Sequence, residues 1–228
     1  MNYTLVILGI ILILVIYILY KVISEKGKVV TNKVDLNENN GTISYDRLTS
    51  PKSKRYCFSL WVYIGTPPSS GDKTLFDVKD QAATPINHFK LVITTDAKLK
   101  YSLYETGGAN AITKEITTNF PMQRWVYLIF SLDNKVVDLY MDGKMIRSHQ
   151  INEDLQGTDE AYRVSYGEKY DAFLAKFERL PAPMDPALAW NKYMQGNGGN
   201  YFSRLFSSYG ATFTLKKDDL DVKQFNLF

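Results

Sequence analysis

Residues 55–64 read RYCFSLWVYI, and residues 125–132 read WVYLIFSL. Both runs are rich in aromatic and β-branched side chains, and both are apolar at odd and even positions alike. The first predicts a central strand covered on both faces, the second another buried strand. Working outward, residues 74–78, 89–95 and 99–104 are further strand candidates, with Gly71-Asp72 and Gly107-Gly108 punctuating the loops around them. After the second run, Asp133-Asn134 turns the chain into residues 135–141, and Asp142-Gly143 turns it again into residues 144–150. An Asp-Gly pair between two β runs signals a tight hairpin, because a type I′ turn needs positive φ at both central residues. Three strands joined this way make a meander. Residues 173–177 (FLAKF) are a last strand candidate in the body. Many short strands at this spacing predict an all-β fold, a two-sheet sandwich or jelly roll.

Four segments carry a family resemblance. Phe58-Ser59-Leu60-Trp61-Val62 resembles the F-x-x-W-V strand of laminin-G/concanavalin A-like domains, and Thr74-Leu75-Phe76-Asp77 is similar to the strand that follows it there. Gln123-Arg124-Trp125-Val126-Tyr127-Leu128 resembles the W-x-h-V strand, and Leu139-Tyr140-Met141-Asp142-Gly143-Lys144 the L-Y-V-[DN]-G-K hairpin. The four stand in the family's order over residues 43–179. The resemblance implies a concanavalin A-like jelly-roll sandwich over residues 43–180. Read as packing alone, Trp61 and Trp125 are core anchors, Tyr140 packs across strands and Gly143 is a turn residue.

Residues 3–20 (YTLVILGIILILVIYILY) carry no charge. As a helix they extend about 27 Å, close to the ~30 Å hydrocarbon core of a bilayer. Their Leu, Ile and Val side chains favour insertion by on the order of 5 kcal/mol. The start lacks the basic group of a secretory signal, and Leu19-Tyr20-Lys21 is bulky where a peptidase needs small residues. The expectation is a retained transmembrane anchor over residues 1–23. Leu5, Ile10 and Leu14 lie in its apolar body, Tyr17 and Tyr20 at the interface, and Lys21 at the flank. Lys21, Lys26 and Lys28 follow the helix and no basic side chain precedes it, so the positive-inside tendency puts the rest of the chain on the cytosolic face. The single cysteine, Cys57, permits no internal disulfide and suits a reducing compartment. It reads as a small core hydrophobe, not a nucleophile. The sequon Asn40-Gly41-Thr42 is then expected to stay bare.

Residues 24–42 are polar and read as a stalk. Beyond residue 180, Pro181 and Pro183 break the last strand. Asp185 at the N-cap and Pro186 at the first helical position predict a short helix over residues 187–195, stopped by Gly196. The remainder of residues 181–228 is a tail that packs on the sandwich or on a partner. Residues 211–215 are expected to add a strand to the sheet. The aromatics Trp190, Tyr193, Tyr201, Phe202 and Phe206 are candidate partner contacts, with core completion as the plainer alternative.

Chemistry-bearing patterns are sparse. A net charge of +3 is too mild for a nucleic-acid binder, and the basic group Lys52, Lys54 and Arg55 reads as a solvated loop. Glycanases on this fold typically carry an E-x-D-x-E strand, which the chain lacks; Glu153-Asp154 and Asp218-Asp219 are neighbours in polar loops. His88 and His149 have no metal-ligand spacing. No cofactor is expected. Asp72, Asp77 and Asp80 could contribute to a Ca²⁺ loop but match no defined pattern. The expectation is therefore a non-enzymatic, membrane-anchored structural or interaction protein whose partners are the lipid bilayer and other proteins. Its architecture, with residues 190–201 (WNKYMQGNGGNY), resembles minor capsid proteins of large icosahedral double-stranded DNA viruses, which implies a role linking an internal virion membrane to the capsid shell. The alternative is a lectin-like glycan-binding membrane protein.

Overall fold

Strand β4 (Arg55–Ile64) explains the double-sided apolar pattern. Phe58, Leu60, Val62 and Ile64 point into the space between two sheets, whereas Cys57 and Trp61 point the other way into a second, smaller core. The computed structural model describes residues 3–24, 28–30, 33–38, 41–48, 53–81, 84–107, 110–156, 162–197, 212–217 and 220–226. The elements around β4 are β1 (Lys28–Val30), β2 (Val34–Asp35), β3 (Gly41–Ser44), β5 (Lys73–Asp80), β6 (Asn87–Ile93), β7 (Leu99–Tyr104), β8 (Ala111–Thr117), β9 (Trp125–Asp133), β10 (Val136–Met141), β11 (Lys144–Gln150), β12 (Tyr162–Tyr166) and β13 (Ala172–Leu180). They form a seven-stranded sheet, ordered β1-β13-β4-β9-β10-β11 with β2 also on β13, and a six-stranded sheet, ordered β3-β12-β5-β6-β7-β8. Every pairing is antiparallel. This is the expected two-sheet jelly-roll sandwich.

The inter-sheet core is strongly aromatic. Phe58 lies 5.4 Å from Phe76, 5.8 Å from Phe89 and 5.8 Å from Phe177, ring centre to ring centre. Phe130 closes the cluster at 4.5 Å from Phe89 and 5.2 Å from Tyr101. Offset and edge-on rings at these separations add stabilisation beyond the area they bury. The expected meander is β9-β10-β11. Its second turn has φ of 51° at Asp142 and 77° at Gly143, as an Asp-Gly hairpin requires.

Helix α2 (Pro186–Met194) covers the outer face of the seven-stranded sheet. It starts where Asp185 accepts hydrogen bonds from the backbone of Ala187 at 2.8 Å and Leu188 at 3.2 Å. The approach to the helix is pinned twice: the Met184 N–H donates to Ser131 Oγ at 2.8 Å, and the Tyr140 hydroxyl donates to the Met184 carbonyl at 3.1 Å. Met184, Ala189 and Tyr193 then seal Cys57, Trp61, Tyr127, Ile129 and Tyr140. Covering that face is what makes β4 and β9 apolar on both sides.

Three regions differ from expectation. Residues 24–42, read as a polar stalk, are in part sheet: Val34 pairs with Leu174, Asp35 with Phe173, and the Leu36 N–H donates to the Ala172 carbonyl at 2.9 Å. Leu36 itself is 0 % exposed in the main core. Strands of two or three residues show no periodicity of their own, so composition prevails in a sequence reading. The strand expected at residues 211–215 forms as β14 (Thr212–Lys217) but pairs with β15 (Leu220–Asn226) in a separate two-stranded sheet, since a following strand of matching length offers a local partner. The transmembrane helix expected over residues 1–23 is not shown. A helix α1 (Tyr3–Ser24) forms, but among the described residues no helix is long and apolar enough to cross a membrane.

Candidate functional site

A cleft of about 430 Å³ opens at one end of the sandwich, between the two sheets. Lys54 and Tyr56 enter it from the start of β4, and Leu132, Asn134 and Lys135 from the β9–β10 turn. The opposite wall is His88 at the start of β6 with Leu103 and Thr106 at the end of β7. The loop 154–156 closes the side. A bridge between Glu105 and Leu155 holds it, with the Thr106 N–H on the Asp154 carbonyl at 2.9 Å and the Gln156 N–H on the Tyr104 carbonyl at 2.8 Å. The floor is apolar and the rim polar, the usual construction of a small-ligand site, and the volume lies within the usual ~300–1,000 Å³ range.

His88 is the unusual wall group. In the β5–β6 ladder Val78 pairs with Phe89 and Lys79 with Asn87, so His88 is the extra residue of a β-bulge. A bulge re-aims a side chain. His88 thus joins Leu103 and Tyr56 at the cleft and lies 6.1 Å from the Tyr162 ring. The residue is 7 % exposed, and neither ring nitrogen has a hydrogen-bond partner among the described residues. Burial lowers its pKa below the ordinary 6.5, with the Asp80 carboxylate opposing the shift. The ring is therefore neutral at pH 7, with one donor and one acceptor.

The other ionisable groups are largely satisfied. Lys135 Nζ holds the exposed Asp154 carboxylate at 2.9 Å and the Asn152 carbonyl at 3.0 Å. That contact lowers the Asp154 pKa. Burial pushes the Tyr56 phenol up to about 12, against the pull of Arg179, whose guanidinium lies 4.7 Å over the ring.

The sequence-derived candidates are scattered. Trp190 is 43 % exposed on α2. Tyr193 is half-buried and stacks on Trp61 at 5.7 Å, so of this pair one is core completion and the other a surface aromatic. Tyr201, Phe202 and Phe206 lie outside the described residues, as do Asp218 and Asp219. Ile10, Leu14, Tyr17 and Tyr20 are exposed along α1; the side chains of Leu5 and Lys21 lie outside the described residues. Asp77 is buried against Lys79 at 2.7 Å, and Asp80 Oδ1 accepts the Ile86 N–H at 2.9 Å. Asp72 sits at the preceding loop, and among the described residues no group of three His, Cys, Asp or Glu could hold a metal ion. The core reading of Cys57 fits its burial, which raises the thiol pKa to about 12. Arg55 is bound to Asp133 at 2.7 Å on the surface. His149 Nδ1 lies 2.8 Å from the Tyr101 hydroxyl. Sequence reasoning missed the cleft and His88, because no local pattern announces a bulge within a strand.

The sequence model of one family, the concanavalin A-like lectin/glucanases superfamily, matches residues 37–195. No curated protein matches the chain. Among solved structures, the botulinum neurotoxin serotype D ligand-binding domain in complex with N-acetylneuraminic acid is similar at 12 % identity and a TM-score of 0.55, over 72 % of this chain and 42 % of that one. The receptor-binding domain of botulinum neurotoxin D is similar at 12 % identity and 0.55, over 71 % and 43 %. The chain thus spans less than half the length of these structures. At that identity the likeness is one of fold.

Proposed function

This chain belongs to the concanavalin A-like lectin/glucanases superfamily, and from that premise we propose that it is a non-enzymatic, membrane-tethered binding module. The observation that carries the tether is the surface of α1. Its large apolar side chains from Ile7 to Tyr20 are 45–70 % exposed on every side of the helix. An apolar surface of that extent needs a cover, and a continuous uncharged rod with terminal tyrosines suits lipid better than one protein groove. Lys21, Lys26 and Lys28 then favour the sandwich on the cytosolic face. There the module holds a partner protein. Many tethered copies against a repeating partner would add avidity without strong single contacts. The minor capsid role is the narrow form of this reading, and its support is the architecture with residues 190–201.

A second reading, a glycan-binding membrane protein, is favoured by the end cleft and by the fold shared with a toxin domain crystallised with N-acetylneuraminic acid. It requires the sandwich to face outward. Translation of the full chain into microsomes separates the two. The first expects Asn40 unmodified and the sandwich digested by added protease; a glycan on Asn40 with protection of the sandwich supports the second.

A further inference from the structure

Large apolar side chains gather on the outer face of the seven-stranded sheet. On α2, Leu188 and Trp190 are each 43 % exposed and Met194 is 51 % exposed. Beside the helix, Phe173, Tyr63 and Trp125 stand at paired positions on the adjacent strands β13, β4 and β9. Their half-buried rings follow one another at 5.9 and 5.8 Å. The exposed Lys33 lays its Nζ 3.8 Å over the Phe173 ring. We propose that this face is a second membrane contact, with α2 and the aromatic row resting in the headgroup layer of the bilayer that holds α1. The inference rests on the reading of α1 as a lipid tether, and adds which side of the sandwich lies against the lipid.

Three observations choose lipid as the occupant. The first is chain length. Helix α1 ends at Ser24 and β1 begins at Lys28. Four Cα steps of ~3.8 Å span at most about 15 Å, and Tyr20, the end of the uncharged run, lies about 6 Å from Ser24 along the helix. Lys28 therefore stands within about 20 Å of the hydrocarbon boundary. It pairs with Glu178 from the edge strand of the seven-stranded sheet, and the Glu178 carboxylate accepts a hydrogen bond from Lys192 of α2 at 2.7 Å. The path from tether to α2 is thus one short link, one ladder position and one ion pair.

The second is chemistry. Trp and Tyr have an apolar body and a polar edge, which settles them at the headgroup level, and a neighbouring Lys can reach lipid phosphates. The outer face of the six-stranded sheet has the opposite character. There Lys90 pairs with Ser102 and Lys100 with Glu115, while their chain neighbours Phe89, Leu91 and Tyr101 fill the core. That face suits water. The third is linkage. The tether makes docking an intramolecular step at high effective concentration, so a modest patch suffices. The platform is also firm: a Cβ at Gly143 would stand 3.0 Å from the Trp190 ring and 3.0 Å from Tyr193, so the helix lies directly on the β10–β11 turn.

The test uses the full chain in phosphatidylcholine vesicles, recovered by flotation, with tryptophan fluorescence quenched by lipids brominated near the headgroup or near the chain ends. The expected result is quenching that is stronger with the shallow bromines, most of which Trp190→Phe removes. Leu188→Asp with Met194→Asp changes two exposed positions and keeps Trp190 as the probe. This double variant should still float through α1, keep Tm within about 2 °C and lose most of the quenching. Quenching unaffected by Trp190→Phe or by the double variant overturns the assignment. A chain that floats without any quenching also overturns it, and leaves the tether standing; a chain that does not float removes the tether and the docking together. Unquenched Trp190 emission that moves to the blue as the protein-to-lipid ratio rises would give the face to a second copy and likewise overturn the proposal.

Discussion

Leu36→Ala is the substitution that most sharply separates a sheet-bound segment from a stalk. Leu36 lies in a stretch whose composition reads as linker, yet its side chain is 0 % exposed in the main core and its N–H is bonded to the Ala172 carbonyl. Truncation to alanine removes three carbons, about 2.4 kcal/mol at ~0.8 kcal/mol each. A residual cavity adds to this, which places the loss within the ~2–5 kcal/mol found for buried Leu→Ala changes. For a domain of this size each kcal/mol moves the midpoint by about 2–4 °C, so a loss of about 3 kcal/mol lowers Tm by about 6–12 °C. Thermal unfolding followed by tryptophan fluorescence measures this directly, since Trp61 and Trp125 sit in and beside the second core. Glu38→Ala, at an exposed neighbour, is the control and should move Tm by less than about 2 °C. A shift at Leu36 no larger than that at Glu38 would refute the claim that residues 34–36 are part of the sandwich.

Other expectations follow from single contacts. Asp185→Ala removes both N-cap bonds of α2 and should cost about 1 kcal/mol, read as a lower urea midpoint with an unchanged m value; an unchanged midpoint would mean that packing alone holds the helix. His88 has a folded pKa below its ordinary 6.5, so the unfolded chain takes up the proton first. Its contribution is complete above about pH 6.5 and is lost as the pH falls, with a slope of at most about 1.4 kcal/mol per pH unit. His88→Phe should flatten that part of the stability–pH curve, and a variant that leaves the curve's slope intact would show that His88 titrates normally. Cys57, buried with a pKa near 12, should resist iodoacetamide at pH 8 in the native state and react once unfolded. Alkylation at equal rates in the two states would place it at the surface.

Much of the sandwich can be read from residues. The runs 55–64 and 125–132 announce central strands because their apolar side chains serve two cores, and Asp142-Gly143 announces its hairpin by backbone chemistry alone. Asp185-Pro186 likewise marks the helix start before any tertiary contact is known. What escapes are elements defined by their partners. Val34-Asp35 is a strand because β13 lies beside it, and Ala111–Thr117 is an edge strand with mostly polar, half-exposed side chains. Tyr162–Tyr166 is joined to β3 and β5, neither adjacent in sequence. The site is harder still to see. His88 gains its place from one extra residue in a ladder, and the cleft joins five chain segments that share no motif. By contrast, the aromatic tail residues attract attention through composition, yet Tyr193 turns out to pack on Trp61.

Vesicle flotation of the full chain tests the tether most directly, with Ile10→Lys/Leu14→Lys as the paired variant. Each lysine opposes insertion by about 3 kcal/mol and leaves the sandwich untouched. The account expects the native chain to rise with phosphatidylcholine vesicles in high salt, and the double variant to stay at the bottom of the gradient with an unaltered Tm. A native chain that remains in the dense fraction, or a double variant that floats equally well, would contradict it.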